Sequence, residues 1–289
     1  EGKRCEAIIV NGAECETHVT ADHRLMLENA QDIVDGLRLA MRAVGVETGI
    51  IAIEDNKKDA IATMQQAVAG IAGLSVVSLQ AKYPQGSEKQ LIYATTGREV
   101  PSKGLPIDVG VVVLNAGTAA AIADAVLRGK PLIQRVTTVT GCVKEPANLL
   151  ARIGTPVSEL VEACGGYTQE PYRVVMGGCM TGLCTPNDAV PTGKRTNCVI
   201  ALTEKEAKTQ AEGPCIRCGR CIEACPMGLQ PYKMRQLCDK GDLKAAEAAN
   251  VMECVVCGCC TYICPARRQL TSIFKNTKDA IAREARRAK

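Results

Sequence analysis

Cys215, Cys218, Cys221 and Cys225 are followed at once by Pro226, and the same spacing returns as Cys254, Cys257, Cys260, Cys264 and Pro265. Three thiolates separated by two residues each can turn inward onto one face of a cubane, while the fourth lies too far round and reaches a neighbouring cluster. The doubled run therefore predicts two [4Fe–4S] clusters with crossed ligation. One takes Cys215, Cys218, Cys221 and Cys264, and the other Cys254, Cys257, Cys260 and Cys225. Structural zinc is the competing reading, but zinc sites pair two C-x2-C knuckles across a longer loop. They leave no reason for a third cysteine at the same step or for the proline. Residues 233–239 and 242–250 are expected to form spacer helices between the two runs.

Of 17 cysteines, nine lie outside these sets. Most read as small buried hydrophobes, Cys259 among them. Cys179 and Cys184, in Gly177-Gly178-Cys179-Met180-Thr181-Gly182-Leu183-Cys184, offer a further metal or redox site with Cys142, Cys164 or Cys198, though the spacing is not diagnostic. No signal peptide is recognisable and the spacing is that of metal ligation, so a reducing cytosolic compartment is expected. The first residue is not Met and a strand-like run begins by Cys5, which suggests that the natural chain starts further upstream.

A chain of 289 residues, 46% hydrophobic, can bury two or three ordinary cores. With no Trp and one Phe it lacks the aromatic platforms of nucleic-acid binders. No apolar run approaches a membrane span, so any membrane link is expected to be peripheral. The net charge of +4 is uneven: eight Lys or Arg stand between Arg267 and Lys289 against Asp279 and Glu284. That end is a solvated helix face or a docking patch for an acidic partner or an anionic membrane.

Ahead of the cysteines, strands are expected over 5–10, 46–53, 74–80 and 107–114, and helices over 57–72 and 118–128. Between the first two strands Leu27, Ala30, Val34, Leu37, Met41 and Val44 recur at helical spacing, with Thr20 as N-cap and Gly45 as stop. The alternation predicts a mainly parallel, Rossmann-like α/β sheet with helices on both faces. After Gly129 short β-rich runs at 131–143, 172–176 and 198–202 surround a helix at 157–163, a small α+β unit. Residues 205–213 read as a linker or short helix, and a last helix starts near residue 271.

Asn11-Gly12-Ala13-Glu14-Cys15-Glu16 follows the first strand at the carboxyl edge of such a sheet, where open α/β folds bind ligands. Its glutamates repel phosphate, but as acceptors they suit ribityl or ribose hydroxyls or a nicotinamide amide; a satisfied surface turn is the plainer alternative. Asn115-Ala116-Gly117-Thr118 joins another strand to a helix and can face the same crevice. No phosphate-binding glycine loop occurs, and His18 and His23 read as turn or helix-start residues.

Over nearly its whole length the sequence resembles RnfC, a component of the Rnf complex, the membrane-bound ferredoxin:NAD+ oxidoreductase. The segments that carry this are Asn11 through Glu16, Thr20-Ala21-Asp22-His23-Arg24-Leu25-Met26 and Ile53-Glu54-Asp55-Asn56-Lys57. With them go Tyr83-Pro84-Gln85-Gly86-Ser87-Glu88-Lys89-Gln90-Leu91, Ala94-Thr95-Thr96-Gly97-Arg98-Glu99-Val100-Pro101 and the second cysteine run through Arg268. The resemblance implies an FMN- and NAD(H)-binding α/β domain at 1–130, a β-grasp domain of the soluble-ligand-binding kind at 131–203, and an α-helical ferredoxin domain with two [4Fe–4S] clusters at 204–289. It implies that Asn11, Glu14, Tyr83, Gly86, Glu88 and Asn115 line the flavin, with Glu14 and Glu16 near the nicotinamide. It further implies an oxidoreductase subunit on the cytoplasmic face of the membrane, working with membrane-bound and iron–sulfur Rnf subunits and, through them, ferredoxin, coupled to ion translocation. Three features depart from the family: no glycine-rich flavin loop precedes Asn11, and Thr17 and Cys179 stand where the family has proline. A flavin and iron–sulfur cobalamin reductase and a flavin-free relay module are the alternative readings.

Overall fold

Residues Ala7–Gly12 read Ala-Ile-Ile-Val-Asn-Gly, too apolar for a strand with a wet face. In the computed structural model, which describes residues 4–287, they form β1, an inner strand. Two helices follow, α1 (Ala21–Glu28) and α2 (Ala30–Val44), then β2 (Thr48–Glu54), α3 (Lys58–Val68) and β3 (Leu74–Leu79). Helix α4 (Glu88–Thr96), β4 (Val111–Asn115) and α5 (Ala116–Arg128) complete the layer. The strands lie in the order β3-β2-β1-β4, and each pairing is parallel. Side chains alternate across them. Ile8, Val10, Ile51 and Ile53 join Met26, Ile33, Leu37 and Met64 in one core, while Ile9, Ala52 and Val111 pack with Leu91 and Ile92 of α4 on the other face.

The helices depart from the expected pattern in instructive ways. The segment expected as one helix is two, broken at Asn29 (φ −128°, ψ 36°). Thr20 holds the N-cap position of α1 without a capping bond from its side chain. The Glu14 carboxylate, a stronger acceptor than a hydroxyl, takes the Asp22 and His23 N–H groups at 2.9 and 3.2 Å, and the Thr20 hydroxyl pairs with the Asn148 amide at 2.9 Å. Gly45 ends α2 in the left-handed conformation, as expected of a stop.

A mixed second sheet comprises β5 (Gln134–Gly141), β6 (Ala147–Arg152), β7 (Arg173–Met176), β8 (Leu183–Cys184) and β9 (Cys198–Leu202). Its order is β6-β5-β9-β7-β8, with only β5 and β9 parallel. Helix α6 (Val157–Ala163) supplies Val157, Leu160 and Val161 to a core with Val139, Val174 and Val199. The short α7 (Glu204–Ala207) ends this part of the chain.

Between Ala207 and Lys208 the chain divides into two compact units. The second contains α8 (Arg220–Glu223), α9 (Pro231–Asp239), α10 (Leu243–Ala248), α11 (Cys259–Tyr262) and α12 (Leu270–Arg287) around Met234, Ala246, Val251, Leu270, Phe274 and Ile281. Both cysteine runs take the same path. Arg217 and Val256 (φ 54° and 57°), Gly219 and Gly258 (φ 81° and 87°), and Gly228 and Arg267 (φ 61° and 56°) are left-handed at matching positions. Among the described residues no helix is long and apolar enough to cross a membrane. Lys289, last of the basic residues, lies outside the described ones.

Candidate functional site

In a parallel sheet ordered β3-β2-β1-β4 the chain leaves β1 toward β2 on one side, while β4 lies on the other, so the crevice opens beyond the carboxyl ends of β1 and β4. Asn11 and Asn115 are partners on the last rung of that pair. Both carboxamides are fixed by protein. Asn11 donates to Gly86 O at 2.9 Å and accepts from Ala13 N at 3.1 Å. Asn115 caps α5 by accepting from Gly117 N at 2.9 Å, accepts from Arg135 Nη2 at 3.1 Å, and donates to Asp22 Oδ2 at 2.6 Å.

The turn after β1 is held against residues 83–87. Gly86 N approaches Cys15 Sγ at 3.4 Å, and a Cβ on Gly86 would stand 2.2 Å from Ala13 O, so only glycine allows this approach. Tyr83 is half-buried, and Glu88 is exposed in the first turn of α4.

Glu14 is 9% exposed, and burial, reinforced by the Asp22 carboxylate, pushes its pKa up to about 7. Burial also raises Asp22. Beneath them Lys57, itself buried, donates to Glu54 Oε2 at 2.9 Å and to Glu14 O at 3.1 Å. Their spacing does not signal this ion pair, because Glu54 ends β2 and Lys57 lies just before α3. Glu16 points elsewhere: its carboxylate accepts from Met180 N and Thr181 N, both at 3.0 Å, and from the Thr181 hydroxyl. Gly178 lies so close that a Cβ there would stand 2.2 Å from Glu16 Cδ. Thus Asn11, Glu14, Gly86 and Asn115 gather at the crevice, whereas the Glu16 carboxylate is clasped by the turn between β7 and β8.

In the second unit the eight predicted cysteines sort into two groups. Cys215, Cys218, Cys221 and Cys264 line an open cavity of about 460 Å³, with Arg217, Tyr232, Arg235 and Arg268 on its walls. Cys225, Cys254, Cys257 and Cys260 line a narrow one of about 20 Å³, walled by Met234 and Phe274. One cysteine of each run has crossed to the other group. Among the described residues no three His, Cys, Asp or Glu converge as a single ion requires, which also applies to Cys179 and Cys184 with Cys142, Cys164 or Cys198. Four sulfurs spread around a cavity are the donor set of a cubane, and this fits the crossed ligation. Cys259, read from sequence as a neighbouring thiol, lies on the narrow cavity beside Cys257, and its pKa is pushed up to about 12, mainly by burial.

Known proteins match this layout segment by segment. Residues 1–124 match the Nuo51 FMN-binding domain and residues 136–183 the SLBB domain. One component of the Na(+)-translocating ferredoxin:NAD(+) oxidoreductase complex of Acetobacterium woodii is 45% identical over 99% of this chain and 65% of its own length. Its counterpart in the proton-translocating ferredoxin:NAD(+) oxidoreductase complex of Clostridium ljungdahlii is 46% identical over 96% of this chain and 61% of its own. The chain thus spans less than two thirds of the length of these relatives. In fold it is similar to a chain of an NAD+-reducing [NiFe]-hydrogenase, with a TM-score of 0.61 at 20% identity, covering 95% of this chain and 56% of that one. Aligned along almost its whole length with those two oxidoreductase components, the chain belongs to the RnfC family.

Proposed function

We propose that this chain is the nucleotide- and cluster-binding part of an RnfC-type protein, passing electrons between NAD(H), through FMN, and two [4Fe–4S] clusters to or from membrane-bound redox subunits that move ions. The observation that carries the reading is the sorting of eight cysteines into two fours, each drawing one member from the other run. The match of residues 1–124 to an FMN-binding family and the names of the relatives support the flavin and nicotinamide steps. On this reading residues 1–130 hold FMN and NAD(H), 131–203 form a β-grasp domain and 204–289 a two-cluster ferredoxin domain. The protein sits peripherally on the cytoplasmic face, with ferredoxin reached through its partners.

When bound, FMN exchanges hydride pairs for single electrons and the clusters carry those electrons singly. The chain's own residues do the rest. Asn11, Gly86 and Asn115 present fixed polar groups to the flavin, with Tyr83 and Glu88 beside them. Glu14, with its pKa near 7, holds or gives up a proton close to the crevice at neutral pH. Glu16 faces the nicotinamide only when the turn at 178–181 releases it. The cysteines hold iron, and burial of the narrow site lowers the dielectric around its sulfurs.

Anaerobic purification followed by assay of iron, sulfide, zinc and flavin tests the reading, with about eight irons expected per chain. Crossed ligation adds a sharper expectation: Cys264→Ala and Cys225→Ala each lose about four irons, and each loses the cluster built mainly on the opposite run. Zinc without sulfide would overturn the proposal.

A further inference from the structure

The two cavities differ in how they meet solvent. Cys215 and Cys218 are exposed, whereas Cys260 is buried and the second, narrow cavity is walled by Met234 and Phe274. Electron transfer falls steeply with distance, so a partner protein can come close to the first group of sulfurs more readily than to the second.

The surface around that first group has the make-up of a docking site. Ile216, between two of the cysteines, is 66% exposed, and Tyr262 and Ile263, directly before Cys264, are 80% and 38% exposed. The adjoining helices α8 and α11 touch, and large apolar side chains left in water mark an interaction centre. Arg217 and Arg220 follow Ile216 in the first run and Arg267 follows Cys264 in the second, all exposed and without an ion pair among the described residues, with Glu223 an exposed acid in the same turns. Arg235 and Arg268, also on the cavity wall, are by contrast neutralised by Glu212 and Asp239, at 3.2 and 2.6 Å for Arg235 and 3.6 and 3.3 Å for Arg268.

The repeat supplies an internal control. Both runs follow the same backbone path, yet Ile216, Arg217 and Arg220 correspond to Val255, Val256 and Cys259. The charge is therefore not demanded by the turn. The second run carries no charge at these three positions, and Lys278 beside it is held by Met252 O and Cys254 O.

We infer that the face formed by Ile216, Arg217, Arg220, Tyr262, Ile263 and Arg267 is the docking surface for an iron–sulfur protein with an acidic rim, and that the cluster of Cys215, Cys218, Cys221 and Cys264 is the one that exchanges electrons with it. The inference rests on the proposed cluster-bearing function. An apolar centre ringed by cations selects a partner with an apolar centre ringed by carboxylates, and the charges steer the encounter. One electron crosses, reducing one cluster as the other is oxidised, and no atom is exchanged.

The full chain, loaded with iron and sulfide, is mixed in a stopped-flow cell with a reduced, acidic two-cluster bacterial ferredoxin. Arg220→Glu with Arg267→Glu, neither of which lines the cavity, should slow the second-order rate at least about tenfold at low salt and flatten its salt dependence. Iron content and the EPR signals of both clusters should be unchanged. The same change in Arg283 and Arg286 of α12 should have little effect; loss of rate there with none at the rim would overturn the inference and return docking to the basic helix. A second measurement needs no variant at the rim. A soluble dysprosium chelate should speed the EPR relaxation of the cluster that disappears in Cys264→Ala, and equal action on both clusters would contradict the assignment. A chain that binds no iron would overturn the functional reading itself, and this surface with it.

Discussion

At the carboxyl edge of the first sheet, Asn11, Glu14, Glu16 and Asn115 are already bonded to other parts of the protein. In the cysteine unit the sulfurs stand around cavities, over a core of a few side chains such as Met234, Phe274 and Ile281. The first region is built by its own hydrogen bonds and apolar layers. The second is small and, on the proposed reading, leans on the clusters its cysteines would hold, as metal-dependent domains do. On that reading preorganisation by protein and preorganisation by cofactor coexist in one chain.

The largest expected effect that would break this contrast comes from anaerobic chelation of iron. Amides of α9, α10 and α12 should lose their protection from hydrogen exchange, while those of β1 and β2 stay protected; equal loss in both units, or none, would remove the distinction. Next in size is Gly86→Ala. The new methyl meets Ala13 O, a backbone atom that cannot swing aside, so the first unit should lose about 1–3 kcal/mol in urea unfolding while the iron content of the second stays unchanged.

The smallest effect sharpens the electrostatics of the crevice. Glu14 has a folded pKa of about 7 against an ordinary 4.5, so the folded state holds its proton more tightly than the unfolded state. The stability this gives is full below pH 4.5 and is lost as pH rises through 7. The urea midpoint should therefore fall between pH 5 and pH 8, and Glu14→Gln should flatten the slope. Asp22, raised in the same direction, keeps part of it.

Sequence made some of this visible because the signals are local. The apolar runs placed most strands, the helix at 157–163 and the strand at 198–202 coincide with α6 and β9, and the proline-terminated runs marked the cysteine groups. The strand expected over 107–114, however, begins only at Val111, after a tight turn at Pro106–Val109 fixed by the Asp108 carboxylate accepting from Leu105 N. What was hidden is set at long range. Helix α4 lacks a strong apolar stripe and is fixed by burial of Leu91 and Ile92 under β1 and β4. Glu14 displaces Thr20 as the cap of α1 only because the turn after β1 folds back over that helix. No spacing rule connects Glu16 with donors 164 and 165 residues further on.

That last contact makes residue 16 and the turn at 178–181 one inherited unit. A Cβ at 178 would meet the end of the Glu16 side chain, so a larger residue there moves that carboxylate off its donors or goes with a shorter residue at 16. Across relatives the two positions should covary, and a chimaera that takes its first sheet from one parent and its second from another should work best when both pieces come from parents that agree at this pair.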